Sequence, residues 1–206
     1  MIELTIDEAI DRAVGLAAGG RKMLGIVGCP GAGKSTLSAA ITRRVLSSTV
    51  VPMDGFHMLN EDLVRLGSRD RKGAPDTFDA DGYVAMLDKV RHQDPATTVA
   101  APRYDRAASA PVPDVIVLEP DVALIVTEGN YLLLDYAPWT GVRALLDEVW
   151  FVEVDDAVRV PRLIARHVEF GKSPDDAYEW VMRSDEANAV VVAATRGRAD
   201  LVVRLP

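Results

Sequence analysis

A chain of 206 residues with 49% hydrophobic content has the length and apolar mass for one buried core, so a single domain over 1–206 is expected. The formal net charge of −8 excludes a general basic footprint for nucleic acid or an acidic membrane, and a single cysteine excludes an internal disulfide. The most apolar stretch, 115–126, is broken by Glu119, Pro120 and Asp121, so the reading is a cytoplasmic protein without membrane or nucleic-acid partners and with homo-oligomerisation left open.

Thr5 and Glu8 form a capping-box pattern ahead of Ile6, Ala9, Ile10, Ala13, Val14 and Ala17. The spacing predicts an amphipathic helix within 1–20, stopped by Gly19-Gly20. Residues 23–27 form a short apolar run, followed by a glycine-rich turn and a helical stretch over 34–46. Further strands are expected at 49–53, 122–127, 148–154 and 201–204. These runs are too apolar to have a solvated face, so they belong to a mainly parallel sheet covered by helices, an α/β architecture.

Segments 67–78 and 100–114 are rich in Pro, Arg, Asp and Gly and read as functional loops or insertions rather than domain linkers. Arg159, Arg162 and Arg166 recur at helical spacing beside Val160, Leu163, Ile164 and Val168, giving one helix a core face and an arginine face. Ser173-Pro174-Asp175-Asp176 carries the cap, proline and acids of a helix start, predicting a helix to about 189. Residues 157–190 thus form an expected lid with the helices that follow it.

Gly28-Cys29-Pro30-Gly31-Ala32-Gly33-Lys34-Ser35 fits G-x-x-x-x-G-K-[ST] and lies between a buried strand and a helix, the context a P-loop requires. Gly28, Pro30, Gly31, Ala32 and Gly33, with Lys34, Ser35 and Thr36, are therefore the expected ATP-binding residues. Glycines let successive amides turn toward a phosphate and the helix N-terminus adds positive potential; Lys34 reaches the β- and γ-phosphates and Ser35 is a Mg²⁺ ligand. Glu128 ends the 122–127 strand beside this loop and is the expected acid for Mg²⁺. Cys29 has no histidine partner motif and reads as a small loop residue.

The guanine-reading N-K-x-D pattern is absent, and Asp79-Ala80-Asp81-Gly82 matches D-x-x-G without a preceding apolar strand, which argues against a GTPase. Asp54 follows the second strand at the ligand-binding edge of the sheet and is the expected base that orients an acceptor hydroxyl. His57 beside it either contacts substrate or is structural; His57, His92 and His167 are too scattered for a metal cluster.

GCPGAGKST at 28–36, VPMDGFH at 51–57, RKGAPDTFD at 71–79, APRYDR at 101–106, VTEGNYLLL at 126–134 and TRGRADLVV at 195–203 occur in one order. Together they resemble the P-loop kinase superfamily of uridine–cytidine kinase, phosphoribulokinase and bacterial type I pantothenate kinase, nearest to a bacterial nucleoside- or fructose-kinase-like branch. The resemblance implies a P-loop NTPase fold with a helical lid, ATP and Mg²⁺ as cofactors, and a small-molecule acceptor with a hydroxyl group. It implies Asp54 as base, Asp76 or Asp79 in the acceptor pocket, Tyr104 in its wall, and Arg162 and Arg166 as lid arginines. Lys72 and Arg106, in the same motifs, are expected at the acceptor. By position, Asn188 is expected to face the pocket and 195–198 to border the adenine. The expected acceptor is a nucleoside or sugar; a pantothenate-type kinase and a nucleotide-binding regulatory module are the alternatives.

Overall fold

In the computed structural model, which describes residues 1–206, the glycine-bounded apolar run is β2 (Lys22–Gly28), every residue of which is buried except Lys22. Around it the chain supplies β1 (Ile2–Leu4), α1 (Ile6–Ala18), α2 (Lys34–Arg44), β3 (Ser48–Pro52), α3 (Asn60–Arg65), α4 (Ala80–Arg91), β4 (Val99–Asp105) and β5 (Ala110–Leu118). Then follow β6 (Leu124–Gly129), α5 (Thr140–Ala144), β7 (Glu148–Glu153), α6 (Asp156–Glu169), α7 (Pro174–Trp180), α8 (Glu186–Ala193) and β8 (Leu201–Arg204). Six strands form one sheet in the order β1-β8-β7-β2-β6-β3, with every pair parallel.

The two-residue repeat of the strands sorts the core into two layers. Met23 and Val27 of β2 and Ile125 of β6 face a layer that contains Tyr83, Leu87, Tyr131 and Trp139. Leu24, Ile26, Leu124 and Val126 face the opposite layer with Ala9 and Ala13 of α1 and Leu37 and Ile41 of α2. Both faces are covered by helices, as the continuous apolar runs require. No helix is long and apolar enough to cross a membrane.

The five expected core strands are present, and α1 carries both bonds of the Thr5/Glu8 capping box. One expectation is corrected. The segment 100–114 is not loop: β4 and β5 pair as an antiparallel ribbon whose tip carries Arg106–Ser109. Prolines at 102, 111 and 113 disguise the strands, but each strand of a two-stranded ribbon has a free edge that tolerates a missing N–H. The late helix runs without a break from Pro174 to Ala193, as expected, and carries a π-turn over Val181–Asp185 between α7 and α8. Such insertions re-aim side chains and recur at functional sites.

The ribbon is seated by one glycine. A Cβ on Gly55 would lie 2.8 Å from the carbonyl carbon of Pro102, so the turn Met53–Phe56 and β4 touch backbone to backbone. Gly55→Ala is expected to destabilise the fold by about 1–3 kcal/mol through overpacking. It would also displace the neighbouring Asp54, seen as a lowered melting temperature together with lost turnover.

Candidate active site

The carboxyl ends of β2, β3 and β6 open into one cleft of about 830 Å³. The turn after β2 places Gly31 and Gly33 at φ +80° and +91°, conformations that L side chains resist, and Gly33 caps α2 without any side-chain bond. Ala32 N–H is used by Cys29 O, whereas the amides of Gly31, Gly33, Lys34, Ser35 and Thr36 have no acceptor in the protein. Several donors at a helix N-terminus, with no acid to cap them, form an anion receptacle.

Lys34 Nζ donates to Gly28 O (2.8 Å), Cys29 O (3.1 Å) and Asn130 Oδ1 (2.7 Å). Burial lowers its pKa to about 8, opposed by Glu128 and Asp54 and reinforced by Arg166. A triphosphate beside this amine would raise the pKa again. Between pH 8 and the ordinary lysine value, nucleotide binding is therefore expected to take up a proton, and ATP affinity to weaken as pH rises. Calorimetry in buffers of different ionisation enthalpy reads that proton directly, and Lys34→Ala should abolish it.

Glu128, at the end of β6, is 8% exposed; its Oε1 accepts from Ser35 Oγ at 2.8 Å, and its buried Oε2 has no partner. Burial pushes its pKa up, against the Ser35 hydrogen bond and the Lys34 charge. An orphaned carboxylate oxygen next to a hydroxyl fits a cation that takes only one or two protein oxygens, as Mg²⁺ does beside phosphates. No cluster of three His, Cys, Asp or Glu side chains offers an all-protein metal cage.

Asp54 stands in the turn after β3 and faces the same cleft, half-exposed, with Arg106 Nη2 at 3.7 Å from Oδ2. Its backbone oxygen accepts from His57 Nδ1 at 2.8 Å, which leaves Nε2 as the unprotonated nitrogen of the neutral ring. Burial lowers the His57 pKa and favours that neutral form. His57 packs against Phe78 and Tyr104 in tilted contacts, with ring centroids 4.0 and 4.6 Å away and interplanar angles of 43° and 38°.

Lys72, Tyr104, Arg106, Arg162, Arg166 and Asn188 also reach the cleft. Asn188 Nδ2 donates to Gly73 O (3.3 Å), tying α8 to the Lys72 segment. Asp76 and Asp79 are not brought in: Asp76 pairs with Arg71, and Asp79 caps α4 through Gly82 N–H (2.9 Å), which also explains Asp79-Ala80-Asp81-Gly82. The arginine face is corrected at one member. Arg159 is 2% exposed, bound to Asp156 (2.8 Å), Glu186 (2.7 Å) and Pro30 O (3.1 Å), so it braces the phosphate loop from behind.

Arg196 and Arg198 are held by Glu153 and Asp135, and segment 195–198 does not line the cleft. Cys29 is half-buried against Ala189 O, and burial pushes its thiol pKa up, which disfavours the thiolate. Sequence reasoning missed Asn130, Arg69 and the His167–Asp185 pair (2.8 Å), all of which line the cleft. Asn130 follows the Glu128-Gly129 strand end, a position that could have been flagged; the others carry no local signal.

A parallel sheet that aims an uncapped glycine-rich turn, its lysine and a strand-end carboxylate into one cleft defines a nucleotide site of the P-loop class. Residues 23–205 match the model of the phosphoribulokinase / uridine kinase family, and the chain belongs to that family. It is 34% identical to "Putative uridine kinase C227.14" of Schizosaccharomyces pombe, over 96% of this chain and 89% of that one. It is 39% identical to the "ATP-dependent kinase-like protein notR'" of Aspergillus versicolor, over 70% of this chain and 88% of that one. The crystal structure of a "putative fructose transport system kinase" from Silicibacter sp. TM1040 superposes with a TM-score of 0.84 at 34% identity, covering 98% of this chain and all (100%) of that one.

Proposed function

We propose that this kinase transfers the γ-phosphoryl group of ATP to a hydroxyl of a small molecule, a nucleoside or a sugar, with Mg²⁺ as its metal. The observation that carries the reading is the sharing of one cleft by the unpartnered phosphate-loop amides and the Asp54 carboxylate. The names of the relatives, one a uridine kinase and one a fructose transport system kinase, agree with an alcohol acceptor.

In this reading the amides of Gly31, Gly33, Lys34, Ser35 and Thr36 hold the β-phosphate, and Lys34 exchanges its carbonyl partners for phosphate oxygens. Ser35 and Glu128 would hold Mg²⁺, which when bound offsets phosphate charge. Asp54 accepts a hydrogen bond from the acceptor hydroxyl and aims its oxygen at the γ-phosphorus. As the new O–P bond forms, the bond to ADP breaks, and the hydroxyl proton passes late to Asp54 and then to solvent. Arg162 and Arg166 of α6 supply positive charge to the transferring group and close the cleft from the lid side.

A coupled ADP-release assay over nucleosides, sugars and their derivatives tests this directly. Acceptor-dependent ADP release that stops on chelation of Mg²⁺ is the expected result. ATP binding with no acceptor-dependent release across the panel would overturn the phosphotransferase reading in favour of a regulatory nucleotide-binding module.

A further inference from the structure

The Lys34 ammonium has no donor to spare. Its three N–H groups meet Gly28 O, Cys29 O and Asn130 Oδ1 at 2.8, 3.1 and 2.7 Å. To hold oxygens of both the β- and the γ-phosphate it must release at least two of these partners. Gly28 and Cys29 belong to the loop whose own amides face the phosphates, so a bond to that loop survives as the ammonium turns inward. Asn130 stands outside the loop, at the end of β6, and lines the cleft.

The strands place Asn130 beside the acceptor. Pro52 of β3 is paired with Glu128 of β6, so Asp54 and Asn130 each follow two residues later on neighbouring parallel strands, and both line the cleft. The Asn130 side chain also hydrogen-bonds the Tyr131 hydroxyl, a bond that opposes the effect of burial on that phenol. The Tyr131 hydroxyl donates its own proton to Gly73 O, which accepts as well from Asn188 Nδ2 (3.3 Å). From Asn130 it must therefore accept, which turns the amide nitrogen toward Tyr131 and leaves the amide oxygen for Lys34.

An amide oxygen in a partly buried cleft is costly to leave without a donor. In the empty cleft Lys34 meets that need. With Lys34 on the phosphates, water is the replacement until a hydroxyl held beside Asp54 displaces it.

We infer that Asn130 is a further acceptor-binding residue, whose Oδ1 receives a second hydroxyl of the acceptor, next to the one on Asp54, once nucleotide has drawn Lys34 away. This rests on the assignment of the cleft to an alcohol acceptor and narrows that acceptor to a polyol. It also sets an order in which nucleotide prepares the acceptor site, and by linkage the acceptor tightens nucleotide binding in return. A strut that merely steadied Lys34 would act in the opposite sense. Removing a strut weakens nucleotide binding, whereas removing a competitor for the ammonium strengthens it.

The test is calorimetric titration of a non-hydrolysable ATP analogue with Mg²⁺ into the wild type, Asn130→Ala and Asn130→Leu, each checked for folding by circular dichroism. Both variants are expected to bind the analogue about 3- to 10-fold more tightly than the wild type, the range of one modest hydrogen bond. Asn130→Leu keeps the side-chain volume and decides the matter where alanine opens a cavity. A second arm titrates uridine and fructose, the compounds in the relatives' names, with and without the analogue. In the wild type at least one of them is expected to bind about 5- to 10-fold more tightly when the analogue is present, and in Asn130→Leu that ratio should fall to about one. Unchanged or weaker analogue binding by Asn130→Leu, no analogue-dependent binding of either compound, or a dependence that survives the substitution would overturn the inference. The phosphotransferase reading fails separately, through absent ADP release, and the analogue arm does not depend on it.

Discussion

Lys34→Ala is expected to lower kcat by about 10²- to 10³-fold while moving the melting temperature by no more than about 4 °C. The amine lies where burial already disfavours its charge, with its pKa lowered to about 8, so it contributes little to the folded state as a cation. What it loses as alanine are bonds to two loop carbonyls and to Asn130. Its charge matters when a polyanion occupies the loop, because only then does a counter-charge in a low-dielectric site offset its desolvation. Turnover measured alongside thermal unfolding separates the two effects. Wild-type kcat in this variant would contradict the assignment, and unfolding without substrate dependence would make Lys34 a structural strut.

Asp54→Asn is expected to lower kcat by about 10²- to 10⁴-fold with ATP affinity changed by no more than a few-fold, the pattern of a residue that acts on the acceptor. The carboxylate is half-exposed in the cleft and lies 3.7 Å from Arg106, so its replacement neither opens a core cavity nor strands a deeply buried charge. Asparagine retains a carbonyl oxygen to accept a hydrogen bond but cannot take the proton. Binding followed by equilibrium titration and chemistry followed by rapid quench divide the loss between the two steps. A variant with full turnover would remove Asp54 from the mechanism and leave His57 Nε2 as the remaining group to orient the hydroxyl.

The parts of this site that were legible in the sequence are those encoded by neighbouring residues. The phosphate loop needs glycines where φ is positive and a lysine that begins a helix, all within one short string, so local pattern specified it. Asp54 and Glu128 were legible because each directly follows an apolar run that could only be a buried strand. The parts that were hidden depend on partners distant in sequence. Arg159 reads as one of three exposed arginines until Glu186, on another helix, and the Pro30 carbonyl close around it.

The same holds at the acceptor. Asp76 sits in a motif that pointed to the pocket, yet Arg71 captures it, while Arg69, with no motif of its own, faces the cleft. The ribbon of β4 and β5 escaped notice because its prolines and weak alternation suit a two-stranded element with free edges rather than a buried sheet. The π-turn inside the late helix has no breaker residue to announce it; Val181–Asp185 contains neither glycine nor proline.

The central claim is that the free amides of Gly31 and of 33–36 cradle the triphosphate of ATP and that Asp54 faces its γ-phosphate. A crystal structure with Mg²⁺ and a non-hydrolysable ATP analogue tests it most directly. The β-phosphate is expected within hydrogen-bonding distance of those amides, with the Asp54 carboxylate on the open side of the γ-phosphate, in line with the bond to be broken. A nucleotide bound elsewhere, or an Asp54 side chain turned out of the cleft with the analogue in place, would contradict the account.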